Sequence, residues 1–382
     1  MRILFVHNYY QQSGGEDQVF LAEQDLMKNH GLDVHQYVVH NYTLQTIQSR
    51  IKTALNLVYS KESKISFSNY LAEINPDIVH CHNFFPLLTP SIFDACKDMN
   101  IPSVLTLHNY RLICPSAMLM RNGKPWEFSI NHNPLWTIPL KIYRNSYFGT
   151  ASLAWMINYH KNKDTWKNKI DRIIILTQFA KKKFIEAGFS AKNLVVKPNF
   201  IPDPITSPVE KKPFCLFVGR LSPEKGIKFL LDSWQSIDYK LKIIGDGPLK
   251  NHVLTAGENV DYLGSFPNEK VKVYLQEAQF LVFPSTWYEG FPMVLVEALA
   301  CGTPALVTNI GSMKEIIDDE TNGLHFQFND STSFINQVNR MIKNKQFCSD
   351  LGQSAREKYL KNYTPEINYG QLLGIYQDIL VK

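Results

Sequence analysis

Short apolar runs alternate with amphipathic stretches along almost the whole chain. RILFVHN at 2–8 is an unbroken apolar run, followed by a glycine-containing loop and a helical pattern from about Glu16 to Asn29. Further runs of strand length lie at 33–39, 77–82, 102–108, 172–177 and 193–197. Strands apolar on both faces, separated by amphipathic segments, predict parallel sheets covered by helices on each side. Gly31 and Gly188 fall where helices should stop. The segment 197–213, KPNFIPDPITSPVEKKP, holds five prolines and no periodicity, which predicts a linker. A second series of strands follows at 214–219, 240–245, 260–264, 280–284 and 304–308, and the chain from about Ser331 reads as mostly helical. The predicted fold class is therefore α/β, two doubly wound Rossmann-like domains in tandem, at 1–199 and 200–363. Such sheets bind ligands at the carboxyl ends of their strands, so a cleft between the domains is the expected site.

Length agrees with two domains, because 382 residues exceed what one core usually spans. A composition of 45% hydrophobic and 20% charged residues excludes disordered and fibrous classes. The longest apolar region, 280–307, is broken by Glu289 and Glu297, so no transmembrane span is predicted. The first apolar run is too short for a signal-peptide core and reads as a strand. Six scattered cysteines without a C-x-x-C pair fit a reducing cytoplasm and argue against a thiolate zinc cluster.

Charge changes this picture. The net +5 divides into 22 Lys+Arg against 14 Asp+Glu in residues 1–199 and 18 against 21 in residues 200–382. Lys141 to Lys192 alone hold 11 basic and 3 acidic residues, interleaved with Tyr143, Tyr147, Phe148, Trp155, Tyr159 and Trp166. This window is either a solvated helical surface or a patch for anionic lipid headgroups or an anionic acceptor, with Trp155 or Trp166 as interfacial anchor or core. No nucleic-acid recognition motif accompanies it, so no nucleic-acid partner is expected.

The stretch PSTWYEGFPMVLVEALACGTP (284–304) carries the most chemistry. Glu289 sits in a loop after a buried strand, Gly290 gives backbone freedom, and Pro292 suits a first helical turn. A helix starting there offers backbone N–H groups near Phe291, Met293 and Val294 to a phosphate. Glu297 lies in an otherwise apolar helical run, where a carboxylate needs donors. A ribose diol could supply two, and so could a nearby lysine or helix start. Arg220 and Lys225, in FVGRLSPEKG (217–226), are two cations after a strand end, suited to a diphosphate leaving group or to a plain surface ion pair. Gly14 and Gly15 let backbone approach a ligand but do not complete a G-x-G-x-x-G fingerprint. His108 ends a buried strand; His80 and His82 share a strand face without a third metal ligand in view and read as structural.

Together, Gly14-Gly15-Glu16, His108-Asn109, the GRL…KG loop at 219–226 and the paired glutamates Glu289 and Glu297 resemble the retaining GT-B glycosyltransferases of family 4, over nearly the whole chain and in the right order. The resemblance implies Glu297 on the donor ribose, and Arg220 and Lys225 on the diphosphate, with backbone N–H groups of Gly15 and of Phe291 to Val294. It implies Glu289 beside the reacting sugar, His108 on the acceptor side, and Tyr262-Leu263-Gly264 near the base. It also implies a UDP- or GDP-sugar donor, a lipid-linked or glycan acceptor in surface polysaccharide assembly, and no bound metal or other cofactor. A C-terminal helix at 364–382 returning to the first domain is implied as well. Location at the inner face of a membrane, without a span, is the matching expectation. A non-catalytic nucleotide-sugar-binding subunit and a nucleotide-sugar epimerase of the same fold are the alternatives. One departure stands out: PWEFSINHNPLW (125–136) contains no cysteine where relatives often have closely spaced ones.

Overall fold

The computed structural model describes residues 1–11, 14–43, 53–204 and 209–381, so part of the proline-rich segment, 205–208, lies outside the described residues. The chain divides into two compact units. The first comprises Met1–Leu119, Trp126–Asn199 and Asn368–Lys382, and the second Met120–Pro125 and Phe200–Ile367.

In the first unit, β1 (Arg2–Tyr9), β2 (Asp33–His40), β3 (Ile78–Asn83) and β4 (Ser103–Leu107) lead the sheet. A two-residue antiparallel pair follows in the chain, β5 (Met120–Arg121) with β6 (Lys124–Pro125). The sheet is completed by β7 (Arg172–Ile175) and β8 (Leu194–Val196), in the order β2-β1-β3-β4-β7-β8 with every pair parallel. The order reverses between β1 and β3, which makes their carboxyl ends the switch point of a doubly wound sheet. Helix Gly15–Asn29 begins where the Asp17 carboxylate accepts the Gly14 N–H at 3.0 Å and the Asp17 N–H returns to the Gly14 carbonyl at 3.2 Å. It buries Val19, Phe20, Glu23, Leu26 and Met27. One core of this unit joins Ile3, Phe5, Phe20, Met27, Ile78, Val104 and Ile174 to Leu372, Ile375, Tyr376 and Ile379 of the helix Pro365–Leu380.

The second unit is built from β9 (Lys212–Val218), β10 (Leu241–Ile244), β11 (Val260–Gly264), β12 (Ala278–Phe283), β13 (Ala305–Thr308) and β14 (Gly323–Phe326). Their order is β11-β10-β9-β12-β13-β14, again parallel throughout, with the switch point between β9 and β12. Strand alternation separates two cores. Leu216, Leu281 and Val307 pack with the helix Met293–Ala300, whereas Cys215, Phe217, Phe280 and Val282 pack with Ile227, Leu230 and Trp234. The strand β14 was not among the expected elements; its sequence GLHF carries a glycine and a histidine and so does not form a continuous apolar run. All six cysteines are buried free thiols.

Candidate functional site

In the second unit, two loops meet at the switch point. The loop after β9 turns through Pro223–Lys225 and ends at Gly226, whose φ of +73° is a left-handed conformation. A Cβ added at Gly226 would lie 2.0 Å from the Pro284 carbonyl oxygen, in the loop after β12. Thr286 N–H and Ser285 Oγ both donate to the Glu224 carbonyl, at 2.9 and 3.1 Å. The loops are thus bonded backbone to backbone. Gly226→Ala is expected to cost about 2 kcal/mol of stability, from left-handed strain and overpacking together, and to lower a chemical-denaturation midpoint accordingly.

This junction positions Glu289, which is 4% exposed. Its Oε1 accepts from Lys225 Nζ at 2.7 Å and from Ser285 Oγ at 2.7 Å, while Ser312 Oγ donates to its backbone carbonyl at 2.7 Å. Its Oε2 makes no hydrogen bond to the described residues. The Lys225 ammonium also faces the rings of Phe283 and Trp287, at 5.3 and 5.7 Å. Arg220, by contrast, is exposed and makes no ion pair among the described residues. Lys225 and Arg220 therefore differ: one holds a carboxylate and the other is open.

Beyond this loop, Gly290 and Phe291 lead to Pro292, the N-cap of helix Met293–Ala300. Proline has no N–H, so a seat for an anion here draws its donors from Phe291, Met293 and Val294 only. Phe291 itself packs edge-on against Tyr363, 6.0 Å between ring centroids. Glu297 is buried on this helix, facing helix Asn268–Glu277. Burial pushes its carboxyl up, against a hydrogen bond from the Asn268 side chain and the Lys272 charge. The Asn268 side chain is thus its donor, and the Lys272 ammonium, itself bonded to Glu269 at 2.9 Å, acts on it through charge. Tyr262 on β11 donates its hydroxyl to the Gly245 carbonyl at 3.1 Å.

The first unit gathers a different set at the ends of β1, β3 and β4. The Gly14 N–H is already bonded to Asp17, whose other oxygen meets His7 Nε2 at 2.7 Å, so that amide is engaged by its own helix cap. Gly15 is the first residue of the helix. His108 follows β4 and stacks on His82, with Nε2 3.1 Å from His82 Nδ1. Burial, then the neighbouring His82, hold its imidazole well below the ordinary histidine range. Asn109 Oδ1 accepts the Arg111 N–H at 3.0 Å. Tyr10, Glu16, Asn83, His108, Asn109 and Arg111 line one small pocket. Burial and Asp17 push the Glu16 carboxyl up to about 7, against the Arg111 charge. The Arg111 guanidinium lies 4.3 Å over the Phe85 ring.

Sequence reasoning missed a buried cluster behind this pocket. Lys197 Nζ is 2.7 Å from Glu23 Oε1, and Glu23 Oε2 is 3.3 Å from His82 Nε2, all with side chains at 0% exposure. Burial pushes Glu23 up, but Lys197, His82 and His80 outweigh it and hold the carboxyl well below its usual range. His80 is bonded at both ring nitrogens, to the Tyr376 hydroxyl at 2.6 Å and Thr106 Oγ1 at 2.7 Å. Ligand atoms of Glu23, His80 and His82 lie within 4.8 Å of one another, but the Lys197 ammonium already supplies the cation there. The signal for Glu23 was available: it shares the apolar helical face of Val19, Phe20 and Met27.

The structure separates the two tryptophans of the basic window. Trp155 is 53% exposed, but Trp166 is only 6% exposed, stacked between Phe84 and Phe189 at 6.0 and 6.4 Å. Trp166 is core and cannot anchor at an interface. Lys183 is likewise committed, to Glu127 and Glu186 at 2.8 and 3.0 Å. Trp136, Tyr147, Phe148 and Trp155 remain exposed. Among the described residues, no helix is long and apolar enough to cross a membrane.

Comparison with known proteins gives these sites a context. Residues 50–203 match the model described as Glycosyltransferase Family 4, and residues 203–358 match Glycosyl transferases group 1. An uncharacterized glycosyltransferase of Methanocaldococcus jannaschii is 26% identical over 393 residues, covering 99% of each chain. The amylovoran biosynthesis glycosyltransferase AmsD of Erwinia amylovora is 29% identical over 230 residues, 55% of this chain and 62% of its own. The crystal structure of Anabaena HepE in complex with UDP aligns with a TM-score of 0.69 at 16% identity, over 99% of this chain and 100% of that one. With two parallel Rossmann-like sheets and both family segments in series, the chain belongs to the GT-B glycosyltransferases of the group 1 and family 4 type.

Proposed function

We propose that this glycosyltransferase moves a sugar from a nucleoside-diphosphate sugar to an acceptor hydroxyl with retention of configuration, in surface polysaccharide assembly. The observation that carries the reading is Glu289: Oε1 is anchored by Lys225 and Ser285, which leaves Oε2 for a ligand. In this reading the anchored carboxylate contacts the donor sugar as positive charge develops at its anomeric carbon. Arg220 and Lys225 take the diphosphate charge as the bond breaks, a role a metal would otherwise fill. The first turn of helix Met293–Ala300 seats a phosphate, with Gly290 leaving room before it. Glu297 would exchange its protein donors for the ribose diol, and Tyr262 to Gly264 would border the base. In the first unit, the Gly14-Gly15 turn and His108 would serve the sugar and the acceptor. The acceptor hydroxyl attacks from the side the diphosphate leaves, so orientation and charge stabilisation do the chemistry, with no water-activating carboxylate pair.

HepE has also been solved with UDP-glucose, which favours a nucleotide-sugar donor, and AmsD is a glycosyltransferase of amylovoran biosynthesis. The test is incubation with radiolabelled UDP- and GDP-sugars and a membrane extract, followed by anomeric analysis of the product. Labelled glycan with the donor's configuration is expected. An inverted product, an epimerised donor, or binding without turnover would overturn the reading.

We also place the acceptor at a membrane surface. Trp136, Tyr147, Phe148 and Trp155 are exposed, Lys141 lies 4.2 Å over the Tyr147 ring, and each basic residue near an anionic surface adds about 1 kcal/mol. Salt-sensitive sedimentation with anionic liposomes is expected, and Trp155→Ala should weaken it. Absence of binding at low salt would point to an acceptor in solution.

A further inference from the structure

Ser312 stands at the start of the short helix Met313–Ile316, in the loop that follows β13, and its side chain is fully buried. A serine at a helix start ordinarily turns its oxygen back to accept an N–H of the first turn. Ser312 makes no such bond. Its hydroxyl instead reaches the Glu289 carbonyl, 23 positions earlier in the chain, at 2.7 Å. A carbonyl only accepts, so Ser312 is the donor. The support beneath it is rigid, because Met313, Ile316 and Ile317 are buried in the same core as Leu295 and Val296 of helix Met293–Ala300.

Glu289 is therefore held at two ends. Lys225 and Ser285, from the loops after β9 and β12, hold one oxygen of its carboxylate, and Ser312 holds its backbone. A grip on Oε1 alone would let the carboxylate pivot about that oxygen, with Oε2 swinging as the backbone shifts. Pinning the carbonyl removes that freedom. It also orients the next amide. In a trans peptide the N–H points opposite to the carbonyl, so the bond from Ser312 turns the Gly290 N–H the other way. That N–H makes no hydrogen bond to the described residues.

We propose that Ser312 is a positioning residue for sugar transfer, a hydroxyl diverted from its own helix to pin the Glu289–Gly290 peptide and so fix where Glu289 Oε2 points. The proposal deepens the function set out above and rests on its reading of Glu289. Removing a hydroxyl that served stability alone would lower the unfolding midpoint and leave the rate untouched. Removing one that aims a reacting group lowers the rate, and only while that group is there to be aimed.

Transfer of labelled sugar from UDP- and GDP-sugars to a membrane extract is measured for Ser312→Ala, Glu289→Gln and the double variant, beside their affinities for UDP and GDP. Ser312→Ala should lower the rate at saturating donor about tenfold, with the nucleoside diphosphate affinity within about twofold of the parent. In the Glu289→Gln background the same change should lower the rate less than about twofold, because the two residues act as one unit. Transfer by Ser312→Ala at the parent rate overturns the proposal. So does a full further loss in the double variant, which would make Ser312 act apart from Glu289. If Glu289→Gln transfers at the parent rate, the reading of Glu289 falls and takes this one with it, whereas a slow Glu289→Gln beside a normal Ser312→Ala removes Ser312 alone. Where Ser312→Ala does not fold, Ser312→Cys keeps the shape with a weaker donor. A slower rate that the Glu289→Gln background abolishes then supports the proposal, and the parent rate overturns it.

Discussion

Glu289→Gln is expected to lower sugar transfer by about a hundredfold or more while the protein melts close to the parent temperature. Glutamine is nearly isosteric and keeps an oxygen where Lys225 and Ser285 donate, so the junction of the two loops survives. The change falls on the other atom. At Oε2 an open acceptor becomes an amide donor, and the negative charge that would face the developing cation is gone. Loss of one preorganised electrostatic group of this kind commonly costs about 2.7–4 kcal/mol of transition-state stabilisation. Steady-state rates beside the affinity for the nucleoside diphosphate make the check. A variant that transfers at the parent rate would make Glu289 a loop strut and nothing more. Lys225→Ala should behave differently, weakening both turnover and stability, because it leaves a nearly buried carboxylate without its cation.

The second large effect concerns stability. Lys197→Met should destabilise the first unit by about 3–5 kcal/mol, since it strands the Glu23 carboxylate where no water reaches it. Adding Glu23→Gln should recover much of that loss, because no unpaired buried charge remains. Denaturant unfolding of the two singles and the double measures the coupling. The pH dependence has a definite sign. The folded Glu23 carboxyl is held well below its usual range, so its contribution is complete above the ordinary value of 4.5 and is lost as pH falls toward the folded value. The double variant should lose that acid sensitivity.

Much of this architecture was legible because continuous apolar runs and Gly-Pro punctuation mark parallel strands directly. Expected runs at 260–264 and 280–284 match β11 and β12 to within about two residues. The loops after β9 and β12 were legible as chemistry because charged residues follow buried strand ends. Side-chain pairing was not. Nothing in the order of residues says that Lys225 is bonded to Glu289, 64 positions away, or that Trp166 is core while Trp155 is exposed. The Lys197–Glu23 pair spans 174 positions, so although Glu23 stands on an apolar helical face, nothing in the order of residues names Lys197 as its partner.

The helix Pro365–Leu380 has a consequence for how the protein is made. Residues 372–379 complete a core begun by Ile3 and Phe5, and Tyr376 supplies the hydroxyl that holds His80. A ribosome delivers that helix only after the whole second unit has been synthesised. The second unit draws no such late piece from beyond Ile367, so it can close while the nascent first unit still exposes part of its interior. Vectorial synthesis would then leave the amino-terminal half as the holdase-dependent, aggregation-prone partner, and a nonsense codon shortly before Leu372 would give a chain whose later-made half is sound and whose earlier-made half is not.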